Sequence, residues 1–141
     1  MNKLTKIGIL DYGTGNIDSL FKALKKVECS PYLIKDNKDL KNSKSLILPG
    51  VGHFKEAVKS LKKNQMLENL KLLVSTGIPT LGICLGFHLL TNSSEESPED
   101  DGLGILKMKT TKINPVNKRK FKVPHMGWNS IEMNNATLKL F

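Results

Sequence analysis

Short apolar runs alternate along this chain with segments in which apolar residues recur at helical spacing. The runs at 7–10, 46–48 and 80–83 are continuous and end in glycine-containing turns, as is typical of strands buried on both faces. A further candidate strand covers 31–34. This alternation predicts an α/β fold with a largely parallel sheet flanked by helices.

The helices are predicted from apolar positions three or four residues apart, which place one apolar stripe on each helix. They cover about 17–27, 54–61, 66–74 and 85–90. Gly77 and Pro79 form a stop signal after the third of these helices.

The second half of the chain has a weaker pattern. The acidic, polar stretch from Thr91 to Gly104 indicates a loop. Candidate strands follow around 110–113 and, with interruptions, over 121–133. No internal repeat divides the 141 residues, a length that suits one domain, so we interpret 1–141 as a single domain.

Three glycine-containing turns follow predicted strands, at 13–15, 50–52 and 84–86. The carboxyl ends of parallel strands share one edge of a sheet, and ligands of open α/β sheets bind beyond that edge. We therefore expect the three turns to lie together and to form a site.

The third turn contains a candidate nucleophile, Cys84, in the pattern Gly82-Ile83-Cys84-Leu85-Gly86. This is the thiol counterpart of the nucleophile elbow, in which a sharp turn exposes the reactive atom at the top of the sheet. The helix that follows directs its free N–H groups and positive dipole end toward the sulfur, which favours the thiolate. The alternative is a buried, inert cysteine between two packing glycines. Cys29 has no such surroundings and is interpreted as structural.

Composition excludes several functional classes. The net charge of +9 comes almost entirely from lysine, with Arg119 the sole arginine, so we interpret it as a solvated surface rather than a nucleic-acid site. The cysteines have no metal-ligand spacing, and no apolar segment is long enough to cross a membrane. We expect a reduced, cytoplasmic setting without metal, membrane or nucleic acid.

Four segments together resemble one known family. They are Asp11-Tyr12-Gly13-Thr14-Gly15-Asn16, Leu48-Pro49-Gly50-Val51-Gly52, Gly82-Ile83-Cys84-Leu85-Gly86 and Val123-Pro124-His125-Met126-Gly127-Trp128-Asn129. The sequence resembles the class I (triad) glutamine amidotransferases, and among them the glutaminase subunit of imidazole glycerol phosphate synthase in histidine biosynthesis. The resemblance covers nearly the whole chain.

The resemblance implies that Cys84 attacks the carboxamide of glutamine and forms a glutamyl thioester as ammonia leaves. Gly50, Val51 and Leu85 would line the oxyanion hole, and the loop with Val51 is expected to rearrange when the partner subunit binds. Gly52 and the residue at position 88 would contact glutamine. No cofactor is implied.

The resemblance also implies a partner. Ammonia would pass to a (β/α)₈-barrel synthase subunit, the two chains forming a heterodimer. There it would react with a phosphorylated ribulosyl aminoimidazole compound to give imidazole glycerol phosphate and the aminoimidazole carboxamide ribotide. The residues implied at or near the interface are Tyr12, Asn16, Met126, Trp128 and Asn129.

Two departures from the family pattern leave alternatives open. His88 stands where the family has glutamine, and the family's catalytic histidine and glutamate come later than residue 141. We therefore expect little glutaminase activity and marginal stability from these 141 residues alone, with apolar sheet edges exposed. A related glutaminase that serves another synthase, such as one amidating a surface sugar, or a catalytically dead docking subunit are the alternatives.

Overall fold

The computed structural model describes residues 4–13, 15–117, 119–130 and 132. Within these ranges each of the first four strands is followed by one or two helices, and a smaller sheet follows. The elements are β1 (Lys6–Leu10), α1 (Ile17–Lys26), β2 (Ser30–Ile34), α2 (Asn37–Lys41), β3 (Leu46–Leu48), α3 (Phe54–Lys63), α4 (Leu67–Ser75), β4 (Thr80–Gly82), α5 (Leu85–Leu90), β5 (Thr91–Ser94), β6 (Ser97–Asp101) and β7 (Leu106–Thr110).

The main sheet has four strands in the order β2-β1-β3-β4, and every neighbouring pair is parallel. Gly8 in β1 pairs with Tyr32 in β2 and with Leu46 in β3, and Leu48 pairs with Gly82 in β4. The predicted α/β fold with a largely parallel sheet is confirmed. Each strand of this sheet therefore ends at the same edge.

The helices pack through the predicted apolar stripes, although to different degrees. In α3, Phe54, Ala57, Val58 and Leu61 are completely buried. In α1 the apolar stripe that includes Leu20 is only half-buried, and no residue of this helix is fully buried. The hydrophobic core therefore lies mainly on the α3–α4 side of the sheet.

The prediction of a loop over 91–104 was wrong. This stretch contains β5 and β6, which pair antiparallel as a hairpin, and β7 then pairs parallel with β5. The inward positions are polar: Thr91 donates to His88 O at 2.7 Å, and Ser97 donates to Asp100 at 2.7 Å in a buried contact. An apolar pattern could not indicate strands whose buried face is satisfied by hydrogen bonds.

Three smaller predictions need correction. The strand expected at 110–113 lies earlier, as β7. No strand occurs over 121–130 or at 132, and positions 131 and 133 of that predicted strand lie outside the described residues. Helix α2 was not predicted because it is one short turn with a single buried residue, begun by Asp36, which accepts from the Asp39 N–H at 2.9 Å.

Strand β4 forms one edge of the main sheet among the described residues. Its Leu81 is 54% exposed, and Ile83 beyond it is 39% exposed. The expected exposed apolar edge is therefore present next to the candidate nucleophile.

Candidate active site

The three turns predicted to form a site follow β1, β3 and β4, and so lie at one edge of the parallel sheet. They touch one another. A Cβ added to Gly15 would lie 3.6 Å from Gly50 Cα, and one added to Gly50 would lie 2.6 Å from Leu85 Cβ. The geometry expected from the strand order is confirmed.

Cys84 occupies a sharp elbow between β4 and α5. Its φ of 51° and ψ of −111° are unusual for a residue with a side chain, and its side chain is exposed. The flanking glycines permit this turn, because a Cβ on Gly82 would lie 2.7 Å from the Phe87 backbone and one on Gly86 would overlap the Leu48 carbonyl oxygen. Strained backbone that exposes a thiol at a sheet edge is the geometry of a nucleophile elbow. Because the Cys84 side chain is exposed, the alternative of a cysteine buried between two packing glycines is wrong.

Backbone N–H groups are available beside the thiol. Among the described residues, no acceptor receives a hydrogen bond from the N–H of Gly50, Val51 or Leu85. Val51 is 70% exposed, whereas Leu85 begins α5 with its side chain buried. Unpaired amides near an exposed nucleophile are the groups that can stabilise an oxyanion.

His88 lies one helical turn beyond the candidate nucleophile, and its N–H donates to Cys84 O at 3.1 Å. The half-buried imidazole borders a cavity of about 370 Å³ whose wall includes acidic and basic side chains. The other lining residues are Ser94, Glu95, Glu96, Thr110, Thr111 and Lys112. The structure thus places position 88 between the elbow and a cavity that is lined by polar and charged residues.

The turn 49–52 continues into α3 through a contact that the sequence analysis missed. Glu96 accepts from the Phe54 N–H at 3.3 Å and lies 2.6 Å from His53 Nδ1. His53 is the N-cap of α3 but makes no capping bond itself, so Glu96 caps the helix from the β5–β6 turn. The acidic pair at 95–96 was visible in the sequence, but the loop interpretation hid its position at a hairpin tip.

The residues implied at a partner surface are not all exposed. Met126 and Trp128 are 87% and 103% exposed, and Asn129 lies 2.7 Å from His125. Asn16 is the exposed N-cap of α1 and accepts from the Ser19 N–H. Tyr12 is buried, with 2% exposure, so in this structure it faces Gly50 rather than solvent.

Other histidines and cavities lie away from the thiol. Among the described residues, no histidine side chain forms a hydrogen bond with Cys84, and the partners of His53 and His125 are Glu96 and Asn129. A cavity of about 690 Å³ is lined by Glu95 and by 112–115 and 121–123 without Cys84, so we locate the site by its chemistry rather than by cavity size.

Two further findings, on metal binding and on membrane-spanning helices, hold for the part of the chain that the structure describes. No cluster of three or more histidine, cysteine, aspartate or glutamate side chains there could hold a metal ion. None of the helices there is long and apolar enough to cross a membrane.

Comparison with known families decides the class. Residues 8–139 match the family described as glutamine amidotransferase class-I, which is nearly the whole chain. The chain belongs to the class I glutamine amidotransferases. In this family context, the elbow at Cys84 and the turn at 49–52 are the features that the sequence resemblance singled out.

Curated relatives of this amidotransferase chain share one description, imidazole glycerol phosphate synthase subunit HisH. The protein of that name from Geobacillus sp. (strain WCH70) is 45% identical over 127 residues, which are 89% of this chain and 60% of the relative. The Methanopyrus kandleri protein is 37% identical over 136 residues (96% and 66%), and the Cyanophora paradoxa protein 41% over 140 (99% and 64%). The chain thus spans 60–66% of the length of these relatives, which is less than two thirds.

Solved structures support the fold. A protein described as a glutamine amidotransferase aligns with a TM-score of 0.66 at 24% identity, covering 74% of this chain and 55% of the other. A putative peptidase E from Listeria monocytogenes aligns with a TM-score of 0.59 at 11% identity, covering 76% and 66%. At these identities the likeness concerns the fold alone.

Proposed function

We propose that this chain is the nucleophile-bearing part of a glutaminase. The observation that carries the proposal is the exposed thiol of Cys84 at a strained elbow, next to Gly50, Val51 and Leu85, whose amides have no acceptor among the described residues. The sulfur bonds to the carboxamide carbon of glutamine, and the carbonyl electron pair moves to oxygen. The nitrogen takes up the proton that the thiol has lost and leaves as ammonia when this adduct collapses. The remaining glutamyl thioester is hydrolysed by water to glutamate, which restores the thiol.

The oxyanion donors follow from the same geometry. The Leu85 N–H belongs to the residue after the nucleophile, the usual source of one donor at such an elbow. A second comes from the turn at Gly50 and Val51, whose amides have no acceptor among the described residues. Removal of one such donor typically costs about 3 kcal/mol of transition-state stabilisation.

The amino-acid end of glutamine is assigned to the side of the elbow that holds Gly52 and His88. The cavity bordered by His88 contains carboxylates at Glu95 and Glu96 and an ammonium at Lys112, a mixed charge that suits a zwitterion. Histidine in place of the family's glutamine keeps a hydrogen-bonding group there but changes its shape and protonation.

The acceptor of ammonia is proposed from the relatives. Their shared name favours imidazole glycerol phosphate synthase over a synthase that amidates a surface sugar. We therefore propose a heterodimer with a (β/α)₈-barrel synthase subunit, in which ammonia yields imidazole glycerol phosphate and the aminoimidazole carboxamide ribotide, a lyase reaction of histidine biosynthesis. A thiol nucleophile needs a reducing compartment, which supports a cytoplasmic location.

An exposed apolar surface supports docking of such a partner. Met126 and Trp128 are almost fully exposed, and tryptophan is enriched among residues that dominate binding energy at interfaces. Asn16 and Asn129 are exposed polar groups that we assign to the same role.

The test is to trap the acyl-enzyme. The chain is mixed with glutamine and a synthase subunit from one of the relatives, quenched with acid, and digested for mass spectrometry. We expect a glutamyl adduct on the peptide that contains Cys84 and none in Cys84→Ser, whereas Cys29→Ser keeps the adduct. If the folded chain binds the synthase subunit but forms no adduct, the docking-only alternative holds instead.

A docking-only subunit remains the second candidate because of one observation. In the described residues no histidine side chain forms a hydrogen bond with Cys84, which is the pairing that a triad base makes with its nucleophile.

A further inference from the structure

Gly50 is the point at which all three turns of the site meet. A Cβ at this position would lie 2.6 Å from Leu85 Cβ on one side and 2.8 Å from Tyr12 Oη on the other. Both distances are shorter than real Cβ contacts, so the Gly50 backbone is held between the elbow helix and the tyrosine hydroxyl. Either neighbour can move only if Gly50 moves with it or a gap opens.

Tyr12 connects a loop at the surface to the buried residue Gly50. Its side chain is buried in the core, while the residues around it form a short loop at the surface. Hydrogen bonds fix both ends of that loop: Asp11 accepts from the Gly13 N–H at 3.1 Å, and Asn16 accepts from the Ser19 N–H at 3.2 Å. The Asp11 N–H donates to Ile34 O at 3.0 Å, which anchors the loop to β2.

A second contact joins the same loop to the same turn. Gly15 has a φ of 110°, and a Cβ there would lie 3.6 Å from the Cα and N of Gly50 and from Pro49 Cβ. The loop 11–16 thus bears on Gly50 at two points, through a buried hydroxyl and through a bare backbone. The turn 49–52, which this loop contacts, is exposed to solvent at Val51, whose side chain is 70% exposed.

We propose that Tyr12 is a positioning residue for the oxyanion turn: its hydroxyl holds the Gly50–Val51 peptide against the start of α5. This inference rests on the proposed glutaminase function, because only a developing oxyanion needs these amides. The role assigned to Tyr12 is to set the direction of these N–H groups rather than to act on the substrate or the sulfur. The loop 11–16, in which Gly13, Gly15 and Asn16 are exposed, thereby controls how well the oxyanion hole is formed.

The chain offers a matched pair of variants, since Tyr12 and Tyr32 are its two tyrosines. Tyr32 donates to Ser43 Oγ at 3.0 Å and lies on β2, the sheet edge opposite β4. Tyr12→Phe and Tyr32→Phe each remove one partly or fully buried hydroxyl and keep the ring. Only the first removes an atom that touches Gly50.

The experiment compares two reactions at Cys84. Iodoacetamide alkylates the thiolate by displacing iodide at a saturated carbon, and no oxyanion develops. Glutamate γ-semialdehyde instead forms a reversible thiohemiacetal, in which the sulfur bonds to the aldehyde carbon, the C=O pair moves to oxygen, and that oxygen takes up the thiol proton. Mass spectrometry measures how much Cys84 iodoacetamide has alkylated at each semialdehyde concentration. The half-protecting concentration, which halves the alkylation, depends on the stability of the thiohemiacetal, and therefore on the oxyanion donors.

We expect Tyr12→Phe to raise the half-protecting concentration about tenfold. This is smaller than the effect of removing an oxyanion donor outright, because the N–H groups are displaced and not removed. The alkylation rate without semialdehyde and the thermal midpoint should stay close to wild type, and Tyr32→Phe should leave protection unchanged. Unchanged protection in a folded Tyr12→Phe overturns the proposal. So does an equal loss in both variants, or a changed bare alkylation rate, since these indicate general destabilisation. If the wild-type chain shows no protection at all, the proposed function fails, and this inference fails with it.

Discussion

Gly86 packs its α-carbon against the backbone carbonyl of Leu48, so that no side chain fits between the start of α5 and the end of β3. The Ile83 N–H donates to the same carbonyl at 2.9 Å. The close approach fixes the nucleophile elbow onto the strand whose turn supplies Gly50. One backbone carbonyl thereby aligns the thiol and the proposed oxyanion donors.

Gly86→Ala should displace α5 from β3. Overpacking of a tight site costs about 1–3 kcal/mol and sometimes more, and here the obstacle is backbone, so we expect the upper part of that range. Denaturant unfolding followed by circular dichroism measures the loss. Gly77→Ala is the control: its φ is 84° but nothing lies within 4 Å of the added Cβ, so only backbone strain of about 1 kcal/mol is expected. Equal losses in the two variants would contradict the packing argument.

Glu96→Ala should loosen the start of α3 and the turn before it. The change removes the acceptor of the Phe54 N–H and the partner of His53, and loss of a helix cap costs about 1 kcal/mol. The free energy of unfolding is the measurement. Glu68→Ala, which removes an exposed carboxylate from the first turn of α4, should cost less than about 0.5 kcal/mol. A Glu96→Ala chain as stable as this control would show that the capping contact contributes nothing.

The ion pair between α3 and β6 predicts a small acid dependence. Lys55 Nζ lies 2.7 Å from Glu99, and its hydrogen bond lowers the pKa of that carboxyl from 4.5 to about 2. A lowered folded-state pKa stabilises the protein fully above 4.5, and the contribution disappears as the pH falls toward 2. Lys55→Met should flatten the pH dependence of the unfolding midpoint across that window. The effect is small because both side chains are exposed.

Lys59→Met is the matched control for this prediction, since Lys59 lies 3.6 Å from Glu56 within the same helix and forms no ion pair with β6 among the described residues. Its pH profile should follow wild type. If Lys55→Met also follows wild type, the Lys55–Glu99 ion pair makes no measurable contribution to stability.

Trp128→Ala should weaken binding of the synthase subunit without affecting the fold. The side chain is fully exposed, so its loss leaves the core intact, and truncation of a hot-spot tryptophan costs about 2 kcal/mol or roughly thirtyfold in Kd. Titration calorimetry against the synthase subunit measures the change, with Lys71→Ala on α4 as an exposed control. Unchanged affinity in Trp128→Ala would remove this residue from the proposed interface.

The sequence was sufficient to predict the parallel sheet, because β1, β3 and β4 are apolar runs that end in glycine turns. It also located the elbow, since Gly82 and Gly86 flank Cys84 in a spacing with a steric reason. It did not predict the β5–β6 hairpin, whose buried positions are hydroxyls and a carboxylate. Contacts such as Glu96 with the Phe54 N–H depend on that hairpin and could not be inferred without it.

The packing of Tyr12 was also beyond sequence reasoning. The resemblance implied an interface position for Tyr12 and Asn16, but apolar periodicity does not say which side of a short glycine-rich loop turns inward. The structure turns the tyrosine toward Gly50, because the turns after β1 and β3 are neighbours at the sheet edge.

The most direct test of the account is selective labelling of Cys84. The chain is incubated with a chloroketone analogue of glutamine, with and without the synthase subunit, and the modified peptides are identified by mass spectrometry. We expect Cys84 to be modified, and to be modified faster when the synthase subunit is present. We expect no modification of Cys29, because its thiol is half-buried and directed at Val27 O. Equal labelling of the two cysteines, or no labelling of a folded chain, would contradict the assignment of Cys84 as the nucleophile.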